Sequence, residues 1–145
     1  MPVNLRRSPI AFVLALVTFT VTGCWFTGTA GTLDPAVSFA EPADGATVTN
    51  WVIVRFTLTG DWKLAPAGST GMTGHHHLIV DQGPVPKGSP VPFDPNHIHY
   101  GAGQDIVAVQ LPPGTHQLTA QFADSSHVSF GPTASKTITV TVLPP

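Results

Sequence analysis

Apolar and polar residues alternate at period two in several short runs separated by Gly and Pro, and such alternation predicts β-strands with one face inward. The clearest run is 51–59, WVIVRFTLT, where Val52, Val54, Phe56 and Leu58 share one face. An earlier alternation starts at Val37 and Phe39 and ends at the turn-forming Glu41-Pro42-Ala43-Asp44-Gly45. Residues 75–81 (HHHLIVD) and 105–111 (DIVAVQL) predict two more strands, the second closed by Pro112-Pro113-Gly114. In 115–123 (THQLTAQFA), His116, Leu118, Ala120 and Phe122 fall on one side. In 136–143 (KTITVTVL), Ile138, Val140 and Val142 do the same. Beyond the N-terminal segment, no stretch keeps a helical period for ten residues without a Gly or Pro nearby. The pattern predicts an all-β fold, an antiparallel, immunoglobulin-like β-sandwich of about seven strands. Two connections, 60–73 and 82–104, are too long for hairpin turns, and loops of that length in a compact domain carry function or are disordered.

The N-terminus reads differently. Arg6 and Arg7 precede a run from Ile10 to Val21 that is apolar or weakly polar, a charged n-region followed by an h-region. Twelve residues cannot cross a bilayer as a helix, which takes about 20. The run ends in Val21-Thr22-Gly23-Cys24, an aliphatic residue and two small ones before the chain's single Cys. This is similar to a bacterial lipobox, in which the Cys is lipidated and becomes the first residue after cleavage; Val stands where Leu is commoner. The expected organisation is a lipoprotein-type signal peptide at 1–23, a Gly/Thr-rich flexible tether at 24–35, and a sandwich domain at 36–145. The expected location is extracytoplasmic, held to a membrane through lipid on Cys24.

Composition agrees with a folded, exported domain. Of 145 residues, 42% are hydrophobic and 10% charged, with 14 Gly and 15 Pro throughout. Removing residues 1–23 leaves four Lys/Arg against eight Asp/Glu, so no basic surface exists to attract nucleic acid. No Gly-x-Ser-x-Gly elbow, phosphate-cradling loop or paired carboxylates suggest an enzyme.

The candidate chemistry lies in seven histidines, at 75, 76, 77, 97, 99, 116 and 127. On a strand, His75 and His77 project to one side about 7 Å apart, and His76 joins Leu78 and Val80 on the other. His76 is thereby expected in the core as a hydrogen-bonded structural residue, with Asp81 following His75 and His77. His97-x-His99 repeats the spacing at the end of the second long connection. Imidazole suits Cu and Zn, so His75, His77, His97 and His99 are candidate ligands for one Cu(II) or Zn(II), with His127 as a further one. Met72, three residues before the cluster, admits a thioether contact to copper. His116 reads as a corner or capping residue. The alternative is a non-catalytic structural or interaction module whose imidazoles hydrogen-bond loop carbonyls. A small metalloenzyme would further need an open coordination position and a nearby acid or base.

The run Gly74-His75-His76-His77-Leu78-Ile79-Val80-Asp81 resembles the marker of an uncharacterised family of exported bacterial domains, Gly-His-His-His-Leu-Ile-(Ile/Val)-Asp. The likeness continues through His97-Ile98-His99-Tyr100-Gly101-Ala102-Gly103-Gln104, Leu111-Pro112-Pro113-Gly114-Thr115-His116-Gln117-Leu118 and Phe122-Ala123-Asp124-Ser125-Ser126-His127-Val128. It departs at Asp105-Ile106, where members tend to carry Thr-Glu, and at Phe130, where they often carry a second His. The resemblance implies a small envelope sandwich domain and no particular activity.

Overall fold

The computed structural model describes residues 34–145. All of these residues lie within one compact unit, Gly31–Pro145. The expected signal peptide, Cys24 and all of the expected tether but residues 34 and 35 lie outside the described residues.

Among the described residues nine strands follow one another: β1 (Ala36–Glu41), β2 (Ala46–Val48), β3 (Trp51–Thr59), β4 (Lys63–Leu64), β5 (Thr73–Val80), β6 (His97–His99), β7 (Ile106–Gln110), β8 (Gly114–Asp124) and β9 (Ser135–Val142). Among the described residues the one helical piece is a 3-10 turn at Pro132–Ala134. Six strands coincide with the runs that alternation predicted. The other three, β2, β4 and β6, have two or three residues each, too short to print a period of two. Two of these short strands run parallel to their partners, β2 beside β9 and β4 beside β5; the longer pairings are all antiparallel.

One sheet has the order β1-β3-β7, and the other has the order β2-β9-β8-β5-β4 with β6 also on β5. Their inner faces meet in a single core: Val37, Val52, Val54, Phe56 and Val109 from the first, Leu78, Leu118, Ala120, Phe122, Ile138 and Val140 from the second. The arrangement is a β-sandwich, and the faces are those the alternation assigned. Full burial of a side chain such as Leu78 or Phe122 stabilises the fold by about 1.5–3 kcal/mol. At Gly74 a Cβ would overlap the Ala123 carbonyl oxygen and lie 2.7 Å from the Phe122 ring, so only glycine fits where β5 runs beside β8.

The larger sheet is also covered on its outer side, which alternation does not reveal. From His75 to Val80, β5 is buried on both faces. The connection after it folds over the outer face, where Val85 and Val91 form a second apolar cluster with Ile79 and Ala123. Buried Gln121 ties this cover down. Its Oε1 accepts the Val85 amide at 3.2 Å, and its Nε2 donates to the Gly131 and Ala134 carbonyls at 3.1 and 3.2 Å. Ser129 adds a hydroxyl bond to the Val85 carbonyl at 3.0 Å. The long connection is thus an ordered third layer, and it encloses the outward-facing histidines.

Candidate metal centre

His75 and His77 leave the outer face of β5, and antiparallel pairing sets His99 of β6 directly opposite His77. The fourth imidazole, His127, comes from the turn after β8. That turn is built by Asp124, whose Oδ1 accepts the amides of Ser126 at 2.8 Å and Val128 at 2.9 Å. Its carbonyl accepts the His127 amide at 3.0 Å. Such side-chain-to-backbone bonding is ordinary turn chemistry for Asp. It holds His127 at φ 66°, a left-handed conformation uncommon for residues other than glycine.

The four rings converge. Centroid separations are 4.9 Å for His75–His77, 4.7 Å for His75–His99 and 4.8 Å for His75–His127. They are 5.1 Å for His77–His99, 5.9 Å for His77–His127 and 4.6 Å for His99–His127. One nitrogen from each of His75, His77 and His99 lies within 4.8 Å of the others. His99 Nε2 is 3.0 Å from His75 Nε2 and also 3.0 Å from His127 Nε2. The His99 ring is wedged against Gly101, where any Cβ would overlap it. His75 and His77 are 0% and 2% exposed, whereas His99 and His127 are half-buried and form the solvent side of the group.

Burial and neighbouring imidazoles both disfavour protonation. Burial is the larger influence on His75, His77 and His99, and the mutual repulsion of the rings adds to it. His75 is lowered to about 4 and His77 to about 2, and His99 is lowered as well. At neutral pH the three rings named are neutral, the form in which imidazole ligates a metal. Burial likewise lowers His76 to about 4.

The remaining histidines lie apart from the group. His97 shares the outer face but sits opposite Ile79, and its Nδ1 is 2.9 Å from Asp94 Oδ1. The expected foursome of His75, His77, His97 and His99 is therefore not what converges; His127 stands where His97 was expected. Asp81 does not continue the face of His75 and His77 either. It turns out of the strand at φ 57° and accepts His116 Nδ1 at 2.8 Å and the Gln117 amide at 2.9 Å. His116 Nε2 donates to the Pro112 carbonyl at 3.0 Å, so both its ring nitrogens serve acceptors. Burial lowers the His116 pKa, but these bonds outweigh it and the net shift is upward. His116 is thus the corner residue its position suggested. His76 is buried in the core as expected, yet neither of its nitrogens has a hydrogen-bond partner. Asp124, Asp94 and Gly101 escaped the sequence reading, although Asp124-Ser125-Ser126 carries a recognisable turn signal.

A pH dependence of stability follows for the metal-free domain. Above about pH 6.5 His75, His76 and His77 are neutral both folded and unfolded and contribute no difference. As pH falls below 6.5, the unfolded chain takes up protons that buried His75, His76 and His77 refuse until about 4, 4 and 2. Stability should therefore fall on acidification, by roughly 1.4 kcal/mol per pH unit for each fully shifted group. Denaturant unfolding at pH 7.5, 6 and 5 with chelator present measures it; a flat profile would contradict these shifts.

No curated protein and no solved structure gives a significant match to the chain. A family match covers residues 54–143, a span holding all seven histidines. By that match the chain belongs to the family described as Domain of unknown function (DUF4399).

Proposed function

We propose that this domain binds one transition-metal ion, Zn(II) or Cu(II), through His75, His77, His99 and His127. One observation carries the reading: His99 Nε2 lies 3.0 Å from two other ring nitrogens. An imidazole nitrogen offers a single in-plane direction, either one N–H or one lone pair, so it cannot bond both neighbours well. A common centre suits such nitrogens better. Tetrahedral Zn–N bonds of 2.0–2.1 Å separate ligand nitrogens by about 3.3 Å, close to the two 3.0 Å contacts of His99 Nε2. Both nitrogens of His77 and the Nδ1 of His75 are buried without a hydrogen-bond partner, a cost that ligation relieves at the nitrogen facing the ion. A nitrogen-only donor set favours Cu or Zn over Ca or Mg, which take oxygen.

The hydrogen-bonded network remains the better account of His97 and His116, each with a carboxylate partner. It leaves both nitrogens of His77 and the Nδ1 of His75 without partners. Titration of the purified, chelator-treated protein with Zn(II) and Cu(II) tests the proposal. Stoichiometry near one is the expected result, and no binding tighter than about 0.1 mM, roughly −5.5 kcal/mol, would refute it.

We further propose that the domain acts outside the cytoplasm, anchored to a membrane by lipid on Cys24; the lipobox-like run at 21–24 supports this. Cys24→Ser should abolish fatty-acid labelling and membrane retention. Equal labelling of variant and wild type would exclude the anchor.

A further inference from the structure

We infer that His127 is the replaceable ligand of this site, the position that an incoming nitrogen or small-anion donor takes while His75, His77 and His99 keep the ion. The inference rests on the metal-binding reading above and goes on to assign unequal roles within the four. His75, His77 and His99 stand on paired strands of one sheet, and β5 is zipped to β8 along seven residue pairs. Their donor atoms lie together within 4.8 Å, a group that does not include His127. His75 and His77 are themselves buried, at 0% and 2% exposed. The His99 ring packs against Gly101, where a Cβ would overlap it, and its Nε2 lies 3.0 Å from His75 Nε2.

His127 is attached differently. It rides on a turn and not a strand, and its ring centroid is the farthest from His77, at 5.9 Å; like His99 it is half-buried. The turn does not depend on the ring. Asp124 Oδ1 holds the amides of Ser126 and Val128, the Asp124 carbonyl holds the His127 amide, and the His127 carbonyl accepts the Val91 amide at 2.9 Å. Among the described residues, the ring itself has one hydrogen-bond contact, to His99 Nε2. Rotation about its Cα–Cβ bond withdraws it from the ion while every backbone bond of the turn survives. The position it leaves lies on the half-buried side of the group, bordered by the His75 and His99 rings. A donor with one compact coordinating atom therefore fits there. The same movement gives a route by which an ion enters, or passes to another protein's nitrogen donor.

The test uses protein loaded with one Cu(II), with azide as the incoming donor. The variants are His127→Asn and His99→Asn; Asn tolerates the left-handed backbone at position 127 and so keeps the turn. Expected is a Cu(II) affinity lowered by about tenfold in His127→Asn and by about a hundredfold or more in His99→Asn. Azide, followed by its charge-transfer absorption, should bind the His127→Asn protein at least about tenfold more tightly than wild type, since it no longer displaces an imidazole. Equal losses in the two variants, or equal azide affinity in wild type and His127→Asn, overturn the inference. Failure of the wild type to take up Cu(II) or Zn(II) overturns the metal reading itself. Unfolding midpoints of the metal-free variants, expected to match wild type, show whether a lost affinity is a lost fold.

Discussion

Alanine at His77 or His99 removes stoichiometric uptake of Zn(II) or Cu(II), whereas alanine at His97 leaves it intact. The expected loss for the first two is at least about a hundredfold, or roughly 2.7 kcal/mol. Each removes a nitrogen from a set whose members sit within 4.8 Å of one another. His97 shares the sequence pattern and the sheet face, but its ring is engaged by Asp94. Calorimetric titration of the three variants distinguishes pattern from geometry; a His97→Ala protein as impaired as His77→Ala would refute the assignment. Proton competition should also be weaker than free histidine suggests. An isolated imidazole yields to protons near pH 6.5, but burial holds His75 at about 4 and His77 lower still. Uptake should therefore persist some way below pH 6.5, where four unperturbed histidines would already have released the ion.

Replacing His76 by leucine should stabilise the domain. The His76 ring is fully buried in the sandwich core, stacked on Phe56 with centroids 4.5 Å apart and edge-on to Phe122 at 5.7 Å. Both its nitrogens are buried without a hydrogen-bond partner. Such an arrangement costs about 1–3 kcal/mol, against about 0.5–1.5 kcal/mol for the aromatic contact that leucine forgoes. Leucine fills most of the same volume, so a net gain of about 1 kcal/mol is expected, a rise of a few degrees in the unfolding midpoint. His76→Ala removes the penalty but leaves a cavity, and by the scale of core truncations should destabilise by about 2 kcal/mol or more. Both variants should take up metal as wild type does, because this ring points away from the site. A leucine variant clearly less stable than wild type would mean that the imidazole contributes something the static contacts do not show.

The residues explain how far the sequence could be followed. Period-two alternation in 51–59 and 136–143 identified not only strands but their inward faces, since a residue on a pleated strand has only two sides. The same rule separated His76 from His75 and His77 before any packing was known. Asp81 defeated it because the strand ends at Val80 and the chain turns through a positive φ there. His76 was expected to be hydrogen-bonded because buried polar groups usually are; its apolar neighbours are themselves on inward faces and offer no acceptor.

What the sequence by itself determined is everything that depends on local backbone geometry: an all-β chain, the faces of its long strands, and two His-x-His pairs each projecting to one side. Only the tertiary structure decided which imidazoles meet. Register set His99 opposite His77 and left His97 beside Ile79, where Asp94 takes it. An Asp124-built turn then swung His127 into the group from a residue 28 positions away from His99. The outer-face burial that keeps these rings neutral comes from a Pro-rich connection with no periodicity to read, fastened by Gln121 and Ser129. Convergence and desolvation are properties of distant segments brought together, and no local pattern in the sequence records them.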